Sequence, residues 1–347
     1  MFVTRLLLHY LLCSKSLFLC FAVRHRKGVD EKLLTYVLLI AGFVLLIKGA
    51  DFFVDGASSV AGILKVPSVV IGLTIVSIGT SCPEAAVSIT SGLSGNADIS
   101  LGNVIGSNLF NLLMVIGVCA LFKAVPTPKE MLRRDMWWNI AVTAALLVMI
   151  FNFGSGKNGY ISRIEGILLL IGIIAYIVTV VRSALKNREA ADDVKILPVW
   201  LSIIYIIGGV AAIIFGGDLV VDNASKIAEQ LGMSKTLVGL TIVAIGTSLP
   251  ELVTSVVAAR KGNAGIAMGN AIGSSIFNIL FILGIASTLS PIKVDPDLLV
   301  DTIVLLGVTV LTLIFSKTKN EVNRWEGTVM VLCYCGYTAY IIYRCYA

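Results

Sequence analysis

The chain has 347 residues, of which 57% are hydrophobic and 14% are charged, and its formal net charge is +6. A soluble domain is typically about 45–50% apolar and about 25% charged, so this composition indicates a polytopic membrane protein. The seven cysteines fit no zinc or disulfide spacing, and the sequence contains no nucleophile–base or cofactor motif. We therefore expect neither an enzyme nor a cofactor, and the dispersed basic residues argue against a nucleic-acid partner.

Residues 1–33 form an N-terminal extension that differs from the rest of the chain. Its apolar run from Leu6 to Val23 is interrupted by His9 and Lys15. The run could be an extra span, a signal-like segment or part of an over-long gene model. We favour the last interpretation, because residues 29–32 read like a natural start just before the first span.

Ten apolar segments follow, each close to the 20 or so residues that a spanning helix needs. The predicted spans are 34–54, 67–91, 98–122, 137–153, 163–183, 198–220, 235–258, 265–288, 298–316 and 325–344. Lysine and arginine are concentrated in the loops on one side, which predicts that those loops are cytoplasmic. Both ends of the ten-span unit then face outward, in a multi-pass protein of the cell membrane (plasma or inner).

The sequence repeats itself at an offset of 167 residues. GLTIVSIGTSCPE at 72–84 matches GLTIVAIGTSLPE at 239–251, and GNVIGSNLFN at 102–111 matches GNAIGSSIFN at 269–278. The repeat predicts two five-helix halves, 34–185 and 198–345, joined by a short cytoplasmic linker at 186–197. Because five is odd, the second half must be inverted relative to the first. Inverted repeats are frequent in secondary transporters, whose sites lie near the membrane midplane on interrupted helices.

We therefore predict an all-α membrane fold of two inverted five-helix repeats with broken helices at the midplane. Pro83 and Pro250 should cause the breaks, because each lacks an N–H and frees the carbonyl four residues earlier. In each copy, hydroxyl groups and a glutamate share one face of the helix. These residues are Ser77, Thr80, Ser81 and Glu84 in the first copy and Thr247, Ser248 and Glu251 in the second.

The second motif places polar side chains at i, i+4 and i+8 on a companion helix. They are Asn103, Ser107 and Asn111 in the first copy and Asn270, Ser274 and Asn278 in the second. Together the two motifs offer only oxygen ligands, which suit hard cations such as Ca²⁺. For Asn103 and Asn270, an interhelical hydrogen bond fits the pattern as well as ion contact does.

The alternative is that the prolines, glycines and hydroxyls only bend and pack helices, with the glutamates paired to Lys or Arg. An unpaired acid in mid-membrane costs a few kcal/mol, and two at equivalent positions therefore indicate a function. A further duplicated pair of acids is interpreted as structural or interfacial. It comprises Asp51 and Asp55 and their equivalents Asp218 and Asp222.

The paired GTSxPE segments, each followed by GNxIGSxxFN, resemble the two α-repeats of the cation/Ca²⁺ exchanger superfamily, especially its prokaryotic sodium/calcium exchanger branch. The resemblance implies Ca²⁺/Na⁺ exchange by alternating access, in which the first and sixth spans slide across the rest. Many members have aspartate at the position of Asn278, so the asparagine argues against K⁺ co-transport. The resemblance further implies central Ca²⁺ carboxylates at Glu84 and Glu251, ligands at Thr80, Thr247 and Asn111, and Na⁺ sites lined by Ser77, Ser81, Ser107, Ser248 and Ser274.

The function that we expect is a Na⁺/Ca²⁺ antiporter, monomeric, with membrane lipid as its only other partner. An H⁺/Ca²⁺ antiporter on the same scaffold is the nearest alternative, because a membrane glutamate can carry a proton. A passive cation channel is a further alternative, but inverted halves around one midplane site favour alternating access over a permanent pore.

Overall fold

The computed structural model describes residues 31–93, 97–151, 159–186, 196–233, 242, 244–294 and 297–346. The predicted N-terminal extension lies almost entirely outside these ranges. So do most of the linker, at 187–195, and residues 235–241 and 243 of the predicted seventh span.

The described chain is almost entirely helical. In chain order the helices are α1 (Glu31–Leu64), α2 (Ser68–Thr80), α3 (Cys82–Leu93), α4 (97–122), α5 (Lys129–Arg133), α6 (Asp135–Phe151), α7 (Arg163–Lys186), α8 (Val199–Gln230), α9 (Ala244–Gly246), α10 (Leu249–Arg260), α11 (Ala264–Leu289), α12 (Asp297–Lys317) and α13 (Arg324–Tyr346). Three of them contain a π-helical turn: Gly72–Val76 in α2, Phe110–Val115 in α4 and Asn278–Leu283 in α11.

In the described part of the chain, seven helical segments are long and apolar enough to cross a membrane. They are α1, α4, α5 with α6, α7, α8, α11 and α12, and α2 with α3 forms an eighth if the bent pair is one span. These correspond to eight of the ten predicted spans. Of the other two, 235–258 lies partly outside the described residues, and 325–344 corresponds to α13, which has 23 residues but is less apolar than the other long helices.

The helices α1 and α8 are longer than predicted, with 34 and 32 residues respectively. The predicted spans ended at 54 and 220, near aspartates that lower the local hydropathy. The helices continue past these acids because no proline interrupts them. The first one ends at Leu64, before Lys65 with its positive φ of 54° and Pro67, and the second ends before Gly232, with a φ of 93°.

The helices α1 and α8 pack against each other through glycines spaced seven residues apart. A Cβ atom at Gly49 would lie 2.9 Å from the Gly209 carbonyl oxygen, and one at Gly216 would lie 2.8 Å from the Gly42 carbonyl oxygen. Gly42 meets Gly216 and Gly49 meets Gly209, so the residue numbers fall along α8 as they rise along α1. The two helices therefore run antiparallel. Glycine is needed here because only small residues allow two membrane helices to approach this closely.

The centre of the molecule is formed by α4 and α11. In the most hydrophobic stretch of each, 78% of residues are buried, against 22–39% for the other long spans. Two short antiparallel ribbons connect distant parts of the chain around this centre. Strand β1 (Val125–Pro126) pairs with β4 (Glu321–Val322), and β2 (Tyr160–Ile161) pairs with β3 (Ile292–Lys293). Each ribbon therefore joins a segment of residues 34–185 to a segment of residues 198–345.

Candidate ion-binding site

The helix interruption predicted at each copy of the first motif is present. The helices α2 and α3 meet at Ser81 with a bend of 49°, and α10 begins directly after Ser248. The backbone angles of the two serines are alike: φ −81° and ψ 8° for Ser81, φ −96° and ψ 5° for Ser248. Such angles lie in the sparsely populated bridge region, where active-site residues are often found. Pro83 and Pro250 follow two residues later and prevent a continuous helix.

The two glutamates of the motif are fully buried and are bonded crosswise between the copies. Ser248 Oγ donates to Glu84 Oε1 at 3.0 Å, and Ser81 Oγ donates to Glu251 Oε1 at 2.9 Å. The serine of each helix break thus holds the carboxylate of the other. This arrangement places both carboxylates at one site, between the two breaks.

Neither glutamate forms an ion pair within the part of the chain that the structure describes. The Oε2 atoms of both side chains are buried and have no hydrogen-bond partner among the described residues. A buried carboxylate is expensive unless a cation or a metal ion compensates it. The alternative in which Lys or Arg neutralises these acids is therefore not supported by the described residues.

The companion helices add further buried polar atoms. Both side-chain amide atoms of Asn111, the Oδ1 atom of Asn278 and the Oγ atom of Ser107 have no hydrogen-bond partner among the described residues. Asn111 lies in the π-helical turn of α4, and Asn278 is the first residue of the π-helical turn of α11. The turn of α4 packs against α10, and the turn of α11 packs against α3, so each asparagine belongs to a segment beside the glutamate helix of the other copy.

The asparagines Asn103 and Asn270 have structural partners. Asn103 Nδ2 donates to Ser88 Oγ at 3.1 Å, and Asn270 Nδ2 donates to the equivalent Ser255 Oγ at 2.9 Å. Asn270 Oδ1 also accepts a hydrogen bond from Thr80 at 3.0 Å. Of the two interpretations left open for these asparagines, the contacts favour interhelical hydrogen bonding. Ser88 and Ser255 were missed in the sequence, although their offset of 167 residues marks them as a duplicated pair.

The remaining predicted ligands lie around the same breaks. Ser274 Oγ lies 3.5 Å from the Ser77 carbonyl oxygen, and the Ser77 hydroxyl donates to the Thr74 carbonyl at 3.1 Å. Ser77 and Ser274 are buried, whereas Thr247 is half-buried and directly precedes the second break. A hydroxyl group that donates its hydrogen to a backbone carbonyl keeps two oxygen lone pairs. These lone pairs can accept a hydrogen bond or coordinate a cation.

The duplicated aspartates of the first half contact a lysine at the end of α10. Lys261 Nζ lies 2.8 Å from Asp55 Oδ1 and 3.4 Å from Asp51 Oδ1, and it also donates to the Asp51 carbonyl at 2.9 Å. This contact ties α1 to the end of α10 and agrees with the structural interpretation of these acids. The residue that corresponds to Lys261 in the first half is Ser94.

The site as a whole offers only oxygen ligands from a few residues of each copy. The described residues contain no group of three or more His, Cys, Asp and Glu side chains that could hold a metal ion. A cation here would therefore take two carboxylates and complete its shell with amide, hydroxyl and carbonyl oxygens, as Ca²⁺ and other hard cations do. The fold and the site together define a membrane protein with a buried pair of carboxylates, a candidate cation site, between two similar helix breaks.

Comparison with known proteins agrees with this class. The family model described as sodium/calcium exchanger protein matches residues 34–182 and 201–343. Sodium/calcium exchanger MaX1 of Methanosarcina acetivorans is 34% identical over 346 residues, covering 89% of this chain and 98% of that protein. Inner membrane protein YrbG of Escherichia coli is 37% identical over 279 residues, covering 76% of this chain and 82% of that protein.

A solved structure of the sodium-calcium exchanger NCX_Mj has the same fold. It matches with a TM-score of 0.78 and 32% identity, over 89% of this chain and 99% of that one. The chain therefore belongs to the sodium/calcium exchanger protein family, in the prokaryotic branch of the cation/Ca²⁺ exchanger superfamily. It is a multi-pass membrane transporter and not an enzyme.

Proposed function

We propose that the chain exchanges Ca²⁺ for Na⁺ across the cell membrane by alternating access, with Glu84 and Glu251 as the central ligands. The observation that carries this proposal is the crosswise pair of buried glutamates, which have serine donors but no ion-pair partner among the described residues. Two carboxylates neutralise one divalent cation. Because burial is costly for unpaired charges, a site of this kind is most stable when a cation is bound.

The proposed Ca²⁺ shell combines oxygens from both copies of the two motifs. Ca²⁺ takes 6–8 oxygen ligands in flexible geometry, whereas two glutamates supply at most four. The amide oxygens of Asn111 and Asn278 and the hydroxyl or carbonyl oxygens of Thr80 and Thr247 would complete the shell. The proposed Na⁺ sites are lined by the serines around it, namely Ser77, Ser81, Ser107, Ser248 and Ser274.

The proposed architecture is the ten-helix inverted repeat, monomeric and with both ends outward. The crosswise Ser–Glu hydrogen bonds support it, because they are related by exchange of the two copies. The ribbons give similar support, since β1 and β3 are equivalent at an offset of 167 residues and each pairs with a strand of the other half. The family model also matches two separate segments close to the predicted halves.

The proposed coupling ion is Na⁺, in line with MaX1 and NCX_Mj, which are both named as sodium/calcium exchangers. The serine hydroxyls that surround the carboxylates suit Na⁺, a hard monovalent cation. Proton coupling would have to use Glu84 and Glu251 alone, because both companion helices carry asparagine at the ligand position.

The decisive experiment is Ca²⁺ uptake into proteoliposomes loaded with Na⁺. Uptake should follow the Na⁺ gradient and should be lost in Glu84→Gln and in Glu251→Gln. Glu165→Gln is the matched control, because Glu165 accepts hydrogen bonds from the Ser162 backbone and hydroxyl at the start of α7, and glutamine keeps this capping role. Uptake driven only by a pH gradient would move the proposal to H⁺/Ca²⁺ exchange, and flux without any countergradient would indicate a channel.

A further inference from the structure

An apolar groove, here called the α7 groove, is lined by neither Glu84 nor Glu251. Its volume is about 340 Å³, and it lies between α7, α2, α11 and the end of α1. Its lining includes Leu64, Thr74, Ile78, Tyr176, Val181 and Leu185.

The polar groups that line the α7 groove already have partners. Thr74 Oγ1 donates to the Val70 carbonyl at 2.7 Å, and the Tyr176 hydroxyl donates to Asp135 Oδ1 at 3.1 Å. The remaining lining side chains are aliphatic or aromatic, apart from a glycine. A ligand in this groove would find no free hydrogen-bonding side chain, so the occupant must be apolar along its length.

The length of the groove matches one leaflet of a bilayer. Along α7 the lining runs from Ile173 to Leu185, and twelve residues of helix cover about 18 Å. Half of a hydrocarbon core of about 30 Å is about 15 Å. The α7 groove therefore has the depth of one lipid tail.

One end of the groove is positively charged. Lys65 follows the lining residue Leu64, and on α7 Arg182 and Lys186 follow the lining residues Val181 and Leu185. All three cations are exposed. They lie in the segments for which the loop charges predict a cytoplasmic position, where anionic lipids attract basic residues.

We propose that the α7 groove binds an acyl chain of one anionic phospholipid, whose phosphate lies beside Lys65, Arg182 and Lys186. A lipid tail gains little by leaving the bilayer for an equally apolar groove. Selectivity must therefore come from the head group. Each Lys or Arg near the membrane surface contributes roughly a fivefold preference for an anionic lipid, so three give about a hundredfold.

The test is native mass spectrometry of the full chain, titrated in mild detergent with phosphatidylglycerol or phosphatidylcholine. The wild type should retain one phosphatidylglycerol with an affinity up to about a hundredfold above that for phosphatidylcholine. Arg182→Gln combined with Lys186→Gln should lower this preference by about 25-fold, because two of the three cations are removed. The matched control is Lys123→Gln combined with Lys319→Gln, two exposed cations away from the groove, which should leave the preference unchanged.

A second pair of variants tests the groove itself. Val181 lines the groove and is 47% exposed, whereas Val178, on the same helix and 40% exposed, does not line it. Val181→Trp should fill the groove and abolish tight retention, while Val178→Trp should retain the lipid. Equal retention of both lipids by the wild type would overturn the proposal. An unchanged preference in the Arg182 and Lys186 variant, or equal effects of the two tryptophans, would overturn it as well.

Discussion

The replacement Glu84→Gln should change the stability of the protein in opposite directions with and without Ca²⁺. Glu84 is fully buried, one of its oxygens accepts a single hydrogen bond from Ser248, and the other has no partner among the described residues. An acid in mid-membrane costs about 2.5–3.5 kcal/mol on insertion scales, and one hydrogen bond to a charged group returns about 1.5–3 kcal/mol. Glutamine removes the charge and keeps an acceptor, so the ion-free variant should be about 1 kcal/mol more stable than the wild type.

Bound Ca²⁺ should reverse this order. At a Ca²⁺ concentration of 100 times its Kd, binding stabilises the wild type by about 2.7 kcal/mol. The variant has lost one of two carboxylates and should lose most of this gain, so in Ca²⁺ it should be about 1–1.5 kcal/mol less stable than the wild type. The free energy of unfolding is measured in detergent at pH 8.5, without Na⁺, in either a chelator or saturating Ca²⁺.

The control for this prediction is Glu165→Gln, which changes a capping glutamate outside the site. Its effect on the free energy of unfolding should be the same in chelator and in Ca²⁺. If Glu84→Gln lowered the free energy of unfolding by similar amounts in chelator and in Ca²⁺, Glu84 would be a structural residue held by Ser248. The reasoning from its burial to a cation ligand would then be wrong.

Three further predictions rest on single contacts. Ser81→Ala and Ser248→Ala should each slow the initial rate of Ca²⁺ uptake by about tenfold to a hundredfold and by similar factors, because each removes an equivalent hydrogen bond to a carboxylate. Gly209→Ala should lower the free energy of unfolding by about 1–3 kcal/mol, because its Cβ would lie 2.8 Å from a carbonyl oxygen, whereas the adjacent Gly208→Ala meets no atom within 4 Å and should have little effect. Lys261→Gln should change the free energy of unfolding by less than about 1 kcal/mol, and high salt should abolish the difference, because the ion pair is partly exposed.

The helix breaks and the acidic residues could be predicted from the sequence because they depend on local chemistry. Proline interrupts a helix wherever it stands in the interior, and glutamate in an apolar run is expensive in any packing. The duplication of both features at one offset then indicated that Glu84 and Glu251 act together. The structure places both at one site through Ser81 and Ser248.

Other features could not be predicted, because they depend on how distant segments meet. The crosswise pairing of each serine with the other copy's glutamate requires the relative placement of the two breaks. The π-helical turns that contain Asn111 and Asn278 have no proline or glycine signal of their own at their first residues. The ends of α1 and α8 were misplaced because the hydropathy falls at the aspartates, although both helices continue through these acids and contain no proline.

The differences between the two copies matter as much as their likeness in the proposed mechanism. If the halves were identical, the inward-facing and outward-facing states would have the same energy by symmetry. Asn108, which corresponds to Ser275, donates to the Ser275 carbonyl at 3.1 Å and accepts from Asn278 Nδ2 at 3.2 Å, so it holds Asn278 but not the equivalent Asn111. Lys261 ties α1 to the end of α10, and a partly exposed ion pair of up to about 1 kcal/mol shifts a two-state equilibrium about fivefold. In the proposed mechanism the two copies of the ligand set therefore have unequal supports, and we expect this inequality to give the ion-free protein a preferred side.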